Sequence, residues 1–198
     1  MKADRIKAGA DRPRLVSYAK VRQEIHDSDL LLFRSGGLIA KCGRGVHSHA
    51  AKAAWWGEDL FLLEVLQLAG ARAVTLSSQV QRHPGRYDVY ETNPGGRWPN
   101  YDRAAAARFM RRLCGCEYGY RGLAAAALLH LPLVRCLLRA EVDDKAADRR
   151  PPFCSQACVM ADRIGGGVDP VEQLADRLTE PADLARSPFY RYRFTLAP

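Results

Sequence analysis

Apolar positions follow two regimes along the chain, short blocks at strand spacing in the first half and helical spacing in the second. Leu15 to Ile25 has helical polarity. Asp27-Ser28-Asp29 reads as a turn into Leu30-Leu31-Leu32-Phe33, a short buried strand. Ser35 to Gly45 holds four glycines and Cys42, which marks a loop at a functional edge. Two strands are predicted next, Ser48 to Trp56 and Leu60 to Gln67, with Gly57-Glu58-Asp59 at the hairpin turn. Ala71 to Ser77 and Tyr87 to Thr92 read as further strands joined by a polar crossing, Ser78 to Gly85, and together these strands make an antiparallel sheet.

Past Asn93-Pro94-Gly95-Gly96 the composition turns to alanine and arginine. Tyr101 to Leu113 reads as a helix with Asn100 at its cap. Gly122 to Val134 is apolar but contains His130 and Pro132 and falls short of the ~20 residues needed to cross a bilayer, so it is expected to be a buried helical segment. Glu141 to Arg150 is a charged, exposed loop. Pro151-Pro152 stiffens the approach to a helix over Cys154 to Ile164, which Gly165-Gly166-Gly167 ends. A short helix over Val171 to Arg177 and a last strand, Tyr190 to Leu196, complete the pattern. The expected class is α+β, an antiparallel sheet or partial barrel packed against helices. Residues 1–26 are read as an N-terminal helical extension and 27–198 as one domain.

Composition narrows the function classes. With 47% hydrophobic and 26% charged residues, the 198-residue chain belongs with ordinary globular proteins rather than disordered ones. The basic N-terminus has no apolar run of the kind a secretory signal needs, which points to the cytoplasm and makes free thiols the expected state of the six cysteines. Neither Cys114-Gly-Cys116 nor the pair Cys154 and Cys158 has zinc-ligand spacing, so no metal or other cofactor is expected. The net charge of +8 favours anionic material, but the arginines are scattered and no recognition helix is visible. The expected partner is therefore a small-molecule or peptide substrate rather than a specific nucleic acid. Peripheral membrane contact and oligomeric state stay open.

Chemistry concentrates at Cys154. It follows Pro151-Pro152-Phe153 in the first turn of a helix, where unpaired amides and the helix dipole favour a thiolate. Among five histidines, His49 opens a strand among small residues and is the best-placed base; His47, two residues earlier, would project from the same face as a second polar group. His26, His83 and His130 read as structural. Glu64 interrupts an apolar run, and an unpaired carboxylate there would cost several kcal/mol, which marks it as the group that orients the imidazole. The register sets a condition. A turn that opposes Leu60 to Trp55 puts Glu64 on the face of His49, and a three-residue turn puts it on the other. Ser155, Tyr118 and Tyr120 are candidate substrate contacts.

These pieces resemble the circularly permuted branch of the NlpC-type papain-like amidases and peptidases, distant kin of lecithin retinol acyltransferase. The resemblance rests on Ser48-His49-Ala50, Phe61-Leu62-Leu63-Glu64, Phe153-Cys154-Ser155-Gln156 and Asp183-Leu184-Ala185 in that order. Unpermuted relatives carry the nucleophile first; here it comes about a hundred residues after the histidine. The resemblance implies a permuted papain-like fold and a Cys154, His49, Glu64 triad that hydrolyses an amide through an acyl-enzyme. An acyltransferase or thioesterase acting on a lipid-like acyl group, and a non-catalytic module that binds peptide or anionic polymer, remain the alternatives.

Overall fold

A computed structural model describes residues 13–35, 45–66, 69–115 and 152–198. Its centre is a seven-stranded sheet: β1 (Leu15–Ser17), β2 (Leu30–Arg34), β3 (His47–Trp56), β4 (Asp59–Leu66), β5 (Gly70–Thr75), β6 (Tyr87–Thr92) and β7 (Tyr190–Ala197). The strand order is β1-β7-β6-β2-β3-β4-β5, antiparallel except for the parallel pair β1 and β7. The described helices are α1 (Tyr18–Val21), α2 (Leu76–Arg82), α3 (Arg103–Leu113), α4 (Cys154–Met160) and α5 (Pro181–Arg186). The class is α+β.

The sheet buries both faces. On one, Leu31, Ala51, Leu62, Val89 and Phe194 pack with Val21 and Ile25 from the N-terminal segment and with Leu76 and Val80 of α2. On the other, Met110 of α3, Ala157 of α4 and Ala161 just beyond it pack against Ala54, Leu63 and Val65, while Cys158, Val159 and Leu184 close over Leu30, Leu32 and Ala50. Ala50, Ala51, Ala53 and Ala54 are all fully buried. Four small side chains on β3 let layers on both sides come close to its backbone.

The β3–β4 hairpin takes the register that puts Glu64 on the His49 face: Leu60 stands opposite Trp55, and the ladder extends one pair further, Asp59 opposite Trp56. Gly57 makes the turn at φ +58°, where a Cβ is strained.

Several local expectations are corrected. Leu15 to Ser17 is a strand, followed by one helical turn and a 3-10 turn at Arg22–Glu24, because β7 offers an open edge and tertiary pairing outweighs helical polarity. Val21 and Ile25 sit in the shared core, so the described part of this segment is built into the sheet rather than appended to it. The crossing after β5 is α2, whose Leu76 and Val80 lie four residues apart and bury together. The α3 helix starts two residues later than expected, capped by Asp102, whose carboxylate accepts from the Ala105 amide at 2.8 Å rather than by Asn100. Val171 to Arg177 is mostly turn, with a 3-10 turn at Asp176–Leu178.

After α4 the chain continues into a π-helical turn, Ala161–Gly165, against which α3 packs. A Cβ on Gly165 would stand 2.8 Å from Phe109 Cβ and 3.0 Å from Ala106 Cα. Gly165→Ala is therefore expected to lower stability by about 1–3 kcal/mol through overpacking, measured as a fall in the urea midpoint with unchanged slope.

Candidate active site

Each member of the site is positioned by a different element. Cys154 is the first residue of α4, after Phe153 in extended conformation (ψ 176°), and every residue of that helix is buried. His49 lies on β3 opposite Phe33 of β2, on the sheet face that α2 covers. Glu64 lies on β4 opposite Ala51, on the same face, and is 3% exposed.

The α4 helix packs on the other face, yet its first residue reaches His49 because the β3–β4 ladder ends there. Pairing goes no further than Ala51 opposite Glu64, and the next amide, Ala50, donates to the Cys154 sulfur. The Ser155 amide, in the first turn of α4, donates to the same sulfur. His49 Nε2 is 2.8 Å from Glu64 Oε2. A second hydrogen bond joins His49 to Cys154, and with Nε2 held by Glu64 it falls to Nδ1.

Electrostatics make a charged pair of sulfur and ring. Burial pulls the His49 pKa down, but the Cys154 charge and hydrogen bond, followed by those of Glu64, outweigh it and raise the pKa to about 10. For Cys154, burial pushes the thiol up; the imidazolium charge, its hydrogen bond and the Ala50 and Ser155 amides overcome this, and the pKa is lowered. Glu64 also has a lowered pKa: burial opposes its charge, and His49 and then Arg72 more than compensate.

Arg72 was not singled out in the sequence. It stands on β5 opposite Glu64, and its Nε and Nη2 donate to Glu64 Oε1 at 2.9 and 2.8 Å. The hairpin register that exposed Glu64 would have pointed to it once extended one strand further.

The other candidates are placed elsewhere. His47 does not share the face of His49. Between Phe33 opposite His49 and Arg34 opposite His47, β2 advances one residue and β3 two, so a bulge at Ser48 reverses the alternation. His47 Nε2 instead meets Asp88 Oδ2 at 2.7 Å, an oxygen that also accepts from Arg34 Nε, and the ring packs edge-on against Tyr90. Ser155 is buried, with its hydroxyl donated to the Thr179 carbonyl at 2.6 Å; it serves the site through its backbone amide rather than as a substrate contact. Tyr118, Tyr120, His130, Gly122 to Val134, Cys42 and the loop Glu141 to Arg150 lie outside the described residues. His26 pairs with Asp29 near the surface, and His83 packs edge-on against Phe33. None of the described cysteines Cys114, Cys154 and Cys158 is in a disulfide.

A cleft of about 410 Å³ opens between Trp98, Val171, Glu172, Asp183, Arg186 and Phe189, and none of Cys154, His49 or Glu64 lines it. Among the described residues no helix is long and apolar enough to cross a membrane.

No protein-family model matches the sequence, and no curated protein does. The fold is similar to that of metalloprotein yiiX from Escherichia coli O157:H7, DUF1105, whose crystal structure superposes with a TM-score of 0.56. The match covers 88% of this chain and 99% of that one at 12% identity, and what it shows is a shared fold.

Proposed function

We propose that the chain is a cysteine-dependent amidase or peptidase of the circularly permuted papain-like type. The observation that carries this reading is Cys154 at the start of a buried helix, hydrogen-bonded to a His49 ring whose far nitrogen is held by Glu64. A nucleophile, a base and an orienting carboxylate in one hydrogen-bonded line are what acyl transfer through a thioester requires. The order along the chain, histidine and acid on adjacent strands and cysteine on a late helix, supports the permuted connection.

In the reaction, the Cys154 thiolate adds to the amide carbonyl carbon and the carbonyl oxygen takes up the negative charge. The Cys154 amide is the first oxyanion donor, since a first-turn N–H has no partner within its helix. The His49 imidazolium then gives its proton to the leaving nitrogen as the C–N bond breaks, leaving a thioester. Neutral His49 takes a proton from water, the resulting hydroxide adds to the thioester carbon, and the carboxylic acid leaves as the thiolate returns. Glu64 holds the ring throughout by its bond to Nε2. The structural neighbour is described as a metalloprotein; among the described residues of this chain no group of three or more His, Cys, Asp or Glu is arranged to hold a metal ion, and the steps above use the chain's own side chains.

The test is intact-mass analysis after incubation with amino-acid amides, short peptidoglycan peptides and acyl esters. An acyl adduct that maps to Cys154 and is absent from Cys154→Ala is expected with the amide or peptide substrates. Adducts from acyl esters alone would move the assignment to lipid-type acyl transfer, and turnover surviving in Cys154→Ala would remove the cysteine from the chemistry.

A further inference from the structure

We infer that Arg72 is a positioning residue of this site, holding the Glu64 carboxylate so that one oxygen is reserved for His49. The inference rests on the triad reading above and adds a member to it.

The geometry divides the two carboxylate oxygens by partner. Oε1 accepts both guanidinium bonds, at 2.9 and 2.8 Å, and Oε2 is left for His49 at 2.8 Å. Glu64 is flanked on its strand by Leu63 and Val65, both buried, and without Arg72 a desolvated carboxylate would keep the imidazole as its principal partner. A planar fork fixes the carboxylate plane as well as its charge, which a lysine ammonium cannot do. The pairing is a consequence of strand register: Arg72 directly opposes Glu64, and Glu64 directly opposes Ala51, two residues from His49. A three-strand row thus carries the alignment from β5 to the ring. The Arg72 side chain is 37% exposed, so it closes the row at the solvent edge.

Among the described residues, the titratable and charged groups around this row are His49 from β3, Cys154 from α4, Arg72 from β5 and Tyr87 from β6, with Arg82 at the end of α2 acting on Tyr87. Removing the Arg72 charge withdraws a cation from beside Glu64, whose pKa Arg72 helps to lower. The imidazolium then faces a carboxylate no longer shared with a guanidinium and keeps its proton to higher pH.

The experiment is the pH dependence of Cys154 carbamidomethylation by iodoacetamide, read by peptide mass in wild type, Arg72→Met and Arg72→Lys. Wild type is expected to show two inflections, one where the ion pair forms and one where His49 loses its proton. In Arg72→Met the upper inflection, that of His49, is expected to move to higher pH by roughly half a unit to one unit. Arg72→Lys keeps the charge and holds the inflections near wild type, while losing the fork slows alkylation on the plateau. Arg72→Gln is the substitute if the Met variant does not fold. A folded Arg72→Met or Arg72→Gln with an unmoved upper inflection overturns the inference, since a purely structural arginine would change unfolding temperature and leave the profile in place. A wild-type profile with one inflection near that of an ordinary thiol defeats the triad reading instead, so the two failures are distinguishable.

Discussion

At pH 6, Cys154 is expected to react with iodoacetamide between about 10 and 100 times faster than an ordinary cysteine, and His49→Ala is expected to erase that advantage. The magnitude follows from ionisation. A thiol with pKa near 8.5 is thiolate to only about 0.3% at pH 6, whereas a cysteine paired with an imidazolium is mostly thiolate; a more acidic thiol is also a weaker nucleophile, which takes back part of the gain. The signs agree at that pH. The Cys154 pKa is lowered, so its thiolate is lost only as pH falls through the lowered value, and the His49 pKa is raised to about 10, so the imidazolium is lost only as pH rises through that value. The ion pair therefore reaches to lower pH than an ordinary thiol ionises, and a rate advantage at pH 6 is the measurement that shows it holds there. Two other described thiols serve as controls in the same tube: Cys114, partly exposed, and Cys158, whose burial pushes its thiol pKa far up and should make it inert. Labelling at Cys154 no faster than at Cys114 would mean that the sulfur and the ring are not charged, and the proposed chemistry would lose its nucleophile.

His49 and Glu64 were legible as an imidazole and a carboxylate on two neighbouring predicted strands, with one of two hairpin registers putting both on one face, and it is the structure that takes that register. Cys154 was legible because two prolines ahead of an apolar helical pattern mark where a helix begins. What stayed hidden depended on departures from a period. The bulge at Ser48 adds one residue to β3 against β2 and sends His47 to the opposite face, and nothing in Val46-His47-Ser48-His49 announces an extra residue. Arg72 belongs to a strand with both neighbours small, Ala71 and Ala73, so its role appears only when two ladders are laid side by side. Leu15 to Ser17 is a strand because β7, at the far end of the chain, offers an edge to pair with, and no local window contains that information. Lys52, in the run Ala50-Ala51-Lys52-Ala53-Ala54, carries a signal of the same kind as Glu64, since a lysine inside a strand with buried neighbours needs a partner.

That lysine gives the largest stability effect expected of any single substitution here. Lys52 and Asp162 are both fully buried, with Nζ 2.6 Å from Oδ2 and 3.0 Å from the Ser28 carbonyl. Ser28 holds φ at +61°, the left-handed region, and its carbonyl also accepts from the Thr92 hydroxyl at 2.7 Å. The Asp162 carboxylate further accepts from Tyr101 at 2.6 Å, from Ser28 Oγ at 3.3 Å and from Tyr190, whose ring lies 4.8 Å from Nζ. Lys52→Met leaves a buried carboxylate with hydroxyl donors but no countercharge, and the loss should be about 3–5 kcal/mol, a large part of the stability of a domain this size. Lys52→Met combined with Asp162→Asn removes both charges and should recover part of it, measured as urea midpoints of the two variants. The effect should also reach the site. Lys52 lies three residues beyond His49 on β3, and Asp162 lies in the π turn that continues the helix of Cys154, so the pair pins the strand of the base to the helix of the nucleophile. In the folded double variant, alkylation of Cys154 at pH 6 should therefore fall more than alkylation of Cys114. A Lys52→Met protein that loses less than about 1 kcal/mol would show that water or another cation compensates Asp162, and the pin would have to be sought elsewhere in the packing of α4 on β3.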